Sequence, residues 1–202
     1  MISCFKGRFR VTSPRGWRTL NGKRDYHKGI DLVGADDATV YSVCTGTVRT
    51  AFQANGAGNY VVVTMEDGRR VYYMHLASFK VKTGDTVCVG QAIGVMGNTG
   101  NSFGAHTHLE LRPAGTGSES LDICEFTGIP NKVGSYEYKE EKTVANRFSD
   151  IKGSIAEKEI EQLCDMGIVQ GDGNAKFRPK DAVTREEAAL LVRRAVKFIT
   201  GK

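Results

Sequence analysis

Up to about Pro130 no stretch of this chain places apolar residues at helical spacing. It carries short runs rich in Val, Thr and Tyr, cut by Asn55-Gly56, Asp67-Gly68, Thr83-Gly84-Asp85 and Gly97-Asn98-Thr99-Gly100. Such punctuation marks strands joined by tight turns. Residues 60–65, the Glu66-Asp67-Gly68 turn and residues 69–75 predict a β-hairpin. Further strands are expected over 39–51, 86–96 and 106–112. The spacing predicts a mainly β domain built as an antiparallel sheet, with no βαβ units.

From Arg147 onward the pattern turns helical. Ser154-Ile155-Ala156-Glu157 fits a capping box, Ile160, Leu163 and Cys164 give one apolar face, and Gly167 is a natural stop. Thr184-Arg185-Glu186-Glu187 is a second capping box, opening a helix with Ala188, Leu191, Val192, Ala195 and Phe198 at helical spacing. Between the two regions, Glu137-Tyr138-Lys139-Glu140-Glu141-Lys142 is charged and aperiodic. The expected organisation is therefore a β domain over 1–130, a charged linker over 131–146 and a small all-α domain over 147–202, α+β overall. A unit of roughly fifty residues is marginal alone, so docking or self-association can support it.

Composition narrows the function classes. The longest aliphatic run, Val61-Val62-Val63, is far too short to span a membrane. The first residues, Met1 to Arg8, contain no apolar h-region, so a secretory signal is not expected. Cys4, Cys44, Cys88, Cys124 and Cys164 are odd in number, widely spaced and without a Cys-x-x-Cys pair. A zinc finger or disulfide scaffold fits badly, and reduced, partly buried thiols are expected. The net charge of +5 is weighted toward the N-terminus, where Lys6, Arg8, Arg10, Arg15, Arg18, Lys23, Arg24 and Lys28 face only Asp25 before Asp31. A basic segment suits a solvated face or a polyanion such as an acidic wall polymer. No nucleic-acid partner is expected; a nucleic-acid binder would show tight, salt-dependent DNA binding.

The chain holds four histidines, and all fall in patterns suited to one hydrolytic zinc site: His27 four residues before Asp31, His75 in a strand, and the His106-Thr107-His108 pair. On a strand, His106 and His108 face the same side about 6.5 Å apart, which lets one ligate a metal while the other serves the chemistry. His27 and Asp31 would stand ~13 Å apart on a straight strand, too far for shared ligation at ~2 Å. The segment must bend, and Gly29 permits it. Two histidines and a carboxylate leave a fourth zinc position open, as hydrolytic sites do. The expected ligands of one zinc ion per chain are His27, Asp31 and His108. His75 and His106 are expected as acid/base and transition-state partners.

These residues resemble the lysostaphin-type (LytM-like) zinc metalloendopeptidases of bacterial peptidoglycan. The likeness covers roughly residues 8 to 115. It rests on Ser13-Pro14-Arg15-Gly16-Trp17-Arg18, His27-Lys28-Gly29-Ile30-Asp31-Leu32, Tyr72-Tyr73-Met74-His75-Leu76, Gly97-Asn98-Thr99-Gly100-Asn101-Ser102 and His106-Thr107-His108-Leu109-Glu110. The resemblance implies a twisted antiparallel sheet with a loop-walled substrate groove, and the same division of ligands and catalytic histidines. It also implies endopeptidase activity on stem or cross-bridge peptides. The competing expectation is a non-catalytic wall-binding or regulatory protein that uses the groove only to recognise peptide.

The C-terminal region resembles a single S-layer homology module. It carries Phe148-Ser149-Asp150-Ile151, then Gly167-Ile168-Val169-Gln170-Gly171-Asp172-Gly173, Phe177-Arg178-Pro179 and Thr184-Arg185-Glu186-Glu187. Such modules bind anionic secondary cell-wall polysaccharide, usually as three copies. The resemblance points to Asp150 and Arg185 as glycan contacts and to a homo-trimer formed through the single copy. The whole reads as a wall-lytic enzyme made in the cytoplasm without a signal peptide and acting on the cell wall, as a phage or prophage endolysin does.

Overall fold

The computed structural model describes all residues except 21, 116, 140–147, 173–175 and 201–202. The chain divides into two compact units, Met1–Glu140 and Glu141–Lys202.

The first unit is mainly β. In chain order its elements are β1 Gly7–Ser13, β2 Gly16–Leu20, β3 Lys23–His27, β4 Ile30–Gly34, β5 Thr39–Tyr41, β6 Gly46–Gln53, β7 Gly58–Thr64 and β8 Arg70–Leu76. Then come β9 Ser78–Phe79, β10 Thr86–Val87, β11 Ala92–Val95, β12 Thr107–Arg112, the short α1 Ile123–Thr127 and β13 Gly134–Tyr138. The main sheet runs β10-β6-β7-β8-β12-β4-β1-β13 and is antiparallel throughout. A smaller sheet joins β5, β11 and β9, and β2 and β3 form a separate hairpin.

Alternation along the strands gives the main sheet two faces. Val48, Val61, Val63, Val71, Tyr73, Leu109, Leu111, Ile30 and Leu32 bury one face in the principal core. The register fixes what stands on the other. Arg49 pairs with Val62, Val62 with Tyr72, and Tyr72 with Glu110, so these four form one row across β6, β7, β8 and β12. His108 pairs with Met74 on one side and Asp31 on the other, one strand repeat along the same face. A second, smaller cluster of Ala57, Val62, Tyr72 and Met74 makes the apolar floor there.

Several elements depart from the expected boundaries. The run 39–51 is not one strand: it breaks over Ser42–Thr45 into β5 and β6, which belong to different sheets. The buried Tyr73 hydroxyl holds that break by accepting from the Val43 amide at 2.8 Å. Residues 86–96 divide in the same way into β10 and β11.

The expected boundary at 130 and the linker over 131–146 are corrected by β13, which pairs with β1 from Gly134 to Tyr138. Tyr136 and Tyr138 pack on the principal core while Glu137 stands opposite Arg8. A charged, two-residue alternation at a sheet edge looks aperiodic until its partner strand is known. Of the remainder of the expected linker, residues 140–146 lie outside the described residues.

The second unit contains α2 Glu157–Asp165 and α3 Arg185–Thr200. Phe148, Ile151, Ile160, Cys164, Ile168 and Val169 form its core, with Leu191 and Ala195 of α3 packed against it. The Thr184 box closes as expected: Thr184 Oγ1 accepts from the Glu187 amide at 3.2 Å and Glu187 returns a carboxylate to the Thr184 amide at 2.8 Å. Ser154 does not cap α2. Its hydroxyl accepts from Ala156, and Glu157 instead accepts from the Gly153 amide at 2.7 Å. Gly167 ends α2 at φ 69°, as a C-terminal stop does. No disulfide links any of the five cysteines.

Candidate metal centre and cleft

β3 and β4 meet at Lys28-Gly29, and the chain turns there so that His27 Nε2 lies 3.1 Å from Asp31 Oδ1. β12 brings His108 beside β4, with Nδ1 2.9 Å from Asp31 Oδ1 and 2.9 Å from His27 Nε2. Three potential ligand atoms thus form a nearly equilateral triangle. Zinc at ~2.0–2.1 Å from tetrahedral ligands needs ligand–ligand edges of about 3.3 Å. The observed edges lie a few tenths of an ångström from that, so the donor set fits the ion with small movements. His27, Asp31 and His108 are a group that can hold a metal.

Each ring is turned by a fixed partner. The His27 Nδ1–H donates to the Pro14 carbonyl at 2.8 Å, leaving the Nε2 lone pair for the centre. On the far side of His108, Nε2 lies 3.5 Å from the Glu110 carboxylate, which leaves Nδ1 to the centre. Glu110 is 2% exposed and is gripped by Arg112 through contacts of 2.8 and 3.1 Å. Burial pushes the Glu110 carboxyl up, but the hydrogen bonds of His108 and Arg112 outweigh it and bring it down to about 2. The same balance holds Asp31 well below the carboxylate range: burial raises it, and His108 and His27 lower it by more. Two anionic carboxylates therefore flank His108, and the centre is built to receive positive charge.

His75 reaches this face by a break in strand alternation. Tyr73 points into the core and Met74 toward the cleft, so His75 should point to the core again. Instead it adopts φ 66°, beside the register shift where β7 meets β8, and its ring turns to the cleft. Such a left-handed residue at a strand irregularity re-aims a side chain at some cost in strain. Its Nδ1–H donates to the Thr99 carbonyl at 2.9 Å, leaving Nε2 free. Burial lowers the His75 pKa by more than that hydrogen bond raises it, which favours the neutral ring. His106 is held in the same manner: Nδ1–H donates to the Gly104 carbonyl at 2.8 Å, and Nε2 lies 3.6 Å from Asp31 Oδ1. The His75 and His106 ring centres are 4.7 Å apart.

Around these four rings lies a cleft of about 510 Å³. Leu20 of the β2–β3 hairpin and Phe103, 78% exposed, stand on its walls. Residues 25–120 match the model for Peptidase family M23. The catalytic domain of EnpA, a prophage-encoded M23 protein of Enterococcus faecalis, is 30% identical, with a TM-score of 0.51. That alignment covers 56% of this chain and 88% of that one.

The chain belongs to peptidase family M23.

Among curated relatives, the glycyl-glycine endopeptidase ALE-1 of Staphylococcus capitis is 33% identical over 152 residues, covering 65% of this chain and 41% of ALE-1. The peptidoglycan DD-endopeptidase ShyA of Vibrio cholerae is 35% identical over 130 residues, covering 62% of this chain and 30% of ShyA. This M23 chain thus spans less than half the length of these relatives. Zinc is the metal of M23 metallopeptidases. Residues 147–189 match the S-layer homology domain.

Gly29 proves to matter for space. Its φ lies outside the left-handed region, but a methyl there would stand 2.7 Å from His108 Nε2 and strike the Leu109 carbonyl. Gly29→Ala should weaken zinc binding at least ten-fold and lower stability by about 1–3 kcal/mol. Chelator competition and thermal melting check both. Wild-type affinity in this variant would show that the ring has room to give.

Sequence reasoning found the four rings and Asp31 but not the groups that aim them. The Pro14, Thr99 and Gly104 carbonyls carry no side-chain signal. Glu110 did carry one, because two residues past His108 on a strand is the same face. In the second unit Asp150 serves the fold: its carboxylate accepts from the Phe177 amide at 2.9 Å and the Arg178 amide at 2.8 Å. Arg185 is exposed at the start of α3. The cleft of this unit is lined by neighbouring residues such as Arg178, Thr184 and Arg194, and by neither of these two.

Proposed function

We propose that this chain is a zinc-dependent endopeptidase that hydrolyses peptide bonds of bacterial peptidoglycan. The observation that carries the reading is the convergence of His27 Nε2, Asp31 Oδ1 and His108 Nδ1 within 2.9–3.1 Å of one another, at the floor of an open cleft. These three atoms hold the zinc. Bound there, zinc supplies Lewis acidity and a nucleophile at neutral pH.

The rest of the chemistry belongs to the chain. Pro14 and Glu110 keep the His27 and His108 rings in the tautomers that offer a lone pair inward. His75 and His106, each with Nδ1–H fixed on a carbonyl, present Nε2 to the cleft. There a ring can take up a proton at Nε2 and, once protonated, return that same proton to the leaving amine. The floor of Tyr60, Tyr72 and Met74 accepts an extended peptide between the Leu20 and Phe103 walls.

Within this reading the S-layer homology region directs the enzyme to the wall by binding anionic polysaccharide, with Asp150 and Arg185 as candidate contacts, and self-association through the single module gives an oligomer. A lytic role of the endolysin type is the biological setting that these parts serve. Digestion of several chemically defined peptidoglycans, with mass spectrometry of the released fragments, tests the activity and identifies the bond. Peptide-bond cleavage that stops on chelation and returns with zinc is the expected result. A zinc-loaded chain that cleaves no wall type overturns it.

A further inference from the structure

Three arginines line the cleft, and their charges are not equally compensated. Arg18 is paired with Asp25 at 3.0 Å and also approaches Asp31 at 3.7 Å. Arg112 is closed onto Glu110. Arg49 is exposed and meets no carboxylate among the described residues. It lies instead against Tyr60, with the guanidinium 5.5 Å from the ring centre and Nη1 donating to the hydroxyl at 3.4 Å. An ordinary surface arginine is free to sample solvent, whereas this one is laid along an aromatic floor. Tyr60 stacks beside Tyr72 at 6.3 Å, and Arg112 covers Tyr72 at 4.0 Å. The sequence of groups across the sheet is thus Arg49, Tyr60, Tyr72, Arg112, with one cation uncompensated at the end away from the zinc ligands.

Register gives the distance. Arg49 on β6 stands three strand spacings from Glu110 and His108 on β12, about 14 Å across the sheet. That is the length of roughly four residues of extended peptide.

Resting on the peptidase reading above, we propose that Arg49 binds a substrate carboxylate several residues from the cleaved bond. The cleft is thereby specific for acidic stem peptides over uncharged bridges such as oligoglycine. Arginine presents a planar fork that matches a carboxylate. Tyr60 reduces the freedom that binding would otherwise remove. The contact is remote from the reacting atoms, so its loss falls on kcat/KM through substrate binding.

The test uses the zinc-loaded full chain with two soluble cross-linked stem peptides, one with free carboxylates and one with the same carboxyls converted to amides. Equilibrium binding and hydrolysis are measured on both. Wild type should bind the free-carboxylate peptide about ten-fold more tightly, a difference of ~1.4 kcal/mol, and the preference should fall as salt rises. Arg49→Gln should lose that preference and bind both peptides alike, and Arg49→Lys should keep part of it. All three should retain equal zinc content. Equal binding of the two peptides by wild type, or an undiminished preference in Arg49→Gln, overturns the proposal. Selective, Arg49-dependent binding without hydrolysis of either peptide would uphold it and overturn the peptidase reading instead.

Discussion

Alanine at Asp31, His27 or His108 should take the zinc content of the purified chain from one ion to near zero and abolish wall hydrolysis with it. The triangle of His27 Nε2, Asp31 Oδ1 and His108 Nδ1 has edges of 2.9–3.1 Å, and no other group of this kind occurs among the described residues. Zinc sites with four protein ligands bind with an apparent ~10–16 kcal/mol, so each ligand carries on the order of 3–4 kcal/mol. Loss of one therefore weakens binding by several hundred-fold or more. Elemental analysis together with competition against a chelator of known affinity measures this. Equimolar zinc in any of the three variants would remove that residue from the ligand set. Asp31 should be the most damaging site, because it is the centre's own anionic donor and lies within 3.6 Å of three histidines.

His75→Ala and His106→Ala should behave in the opposite way, keeping zinc while losing hydrolysis by roughly 10²–10⁴-fold, the usual contribution of a positioned acid or base. The separation follows from geometry. His106 Nε2 approaches Asp31 at 3.6 Å but stands outside the mutual triangle. His75 is tied to Thr99, and its ring lies tilted against that of His106 with centres 4.7 Å apart. The decisive comparison is within the His106-Thr107-His108 pair. If the His106 variant loses zinc while the His108 variant keeps it, the two roles are exchanged and the proton-handling scheme falls.

Much of this centre is legible in the sequence, because local chemistry limits it. His27 and Asp31 can share an ion only if the chain bends between them, and His106 and His108 must share a face on any strand. The hairpin over 60–75 is legible for the same reason, since an Asp-Gly turn and alternating apolar residues are local signals. Where the signal depends on a partner strand it fails. The 39–51 and 86–96 runs each read as one strand, because nothing local says that their two halves join different sheets. The charged segment containing Gly134–Tyr138 reads as a linker, because its alternation gains meaning only against β1.

By itself the sequence determined a glycine-punctuated antiparallel β unit, a small helical unit after it, and five side chains that had to meet. Tertiary structure alone decided how they meet. The left-handed backbone at His75 turns its ring from core to cleft. Glu110, clamped by Arg112, faces the outer nitrogen of His108. Gly29 is small because His108 and the Leu109 carbonyl occupy the space beside it. Arg49 joins the row of Val62, Tyr72 and Glu110. Each of these rests on strand pairings between residues far apart in the chain. The physical reason is that periodicity specifies which face a side chain takes, while only the paired register specifies its neighbours on that face.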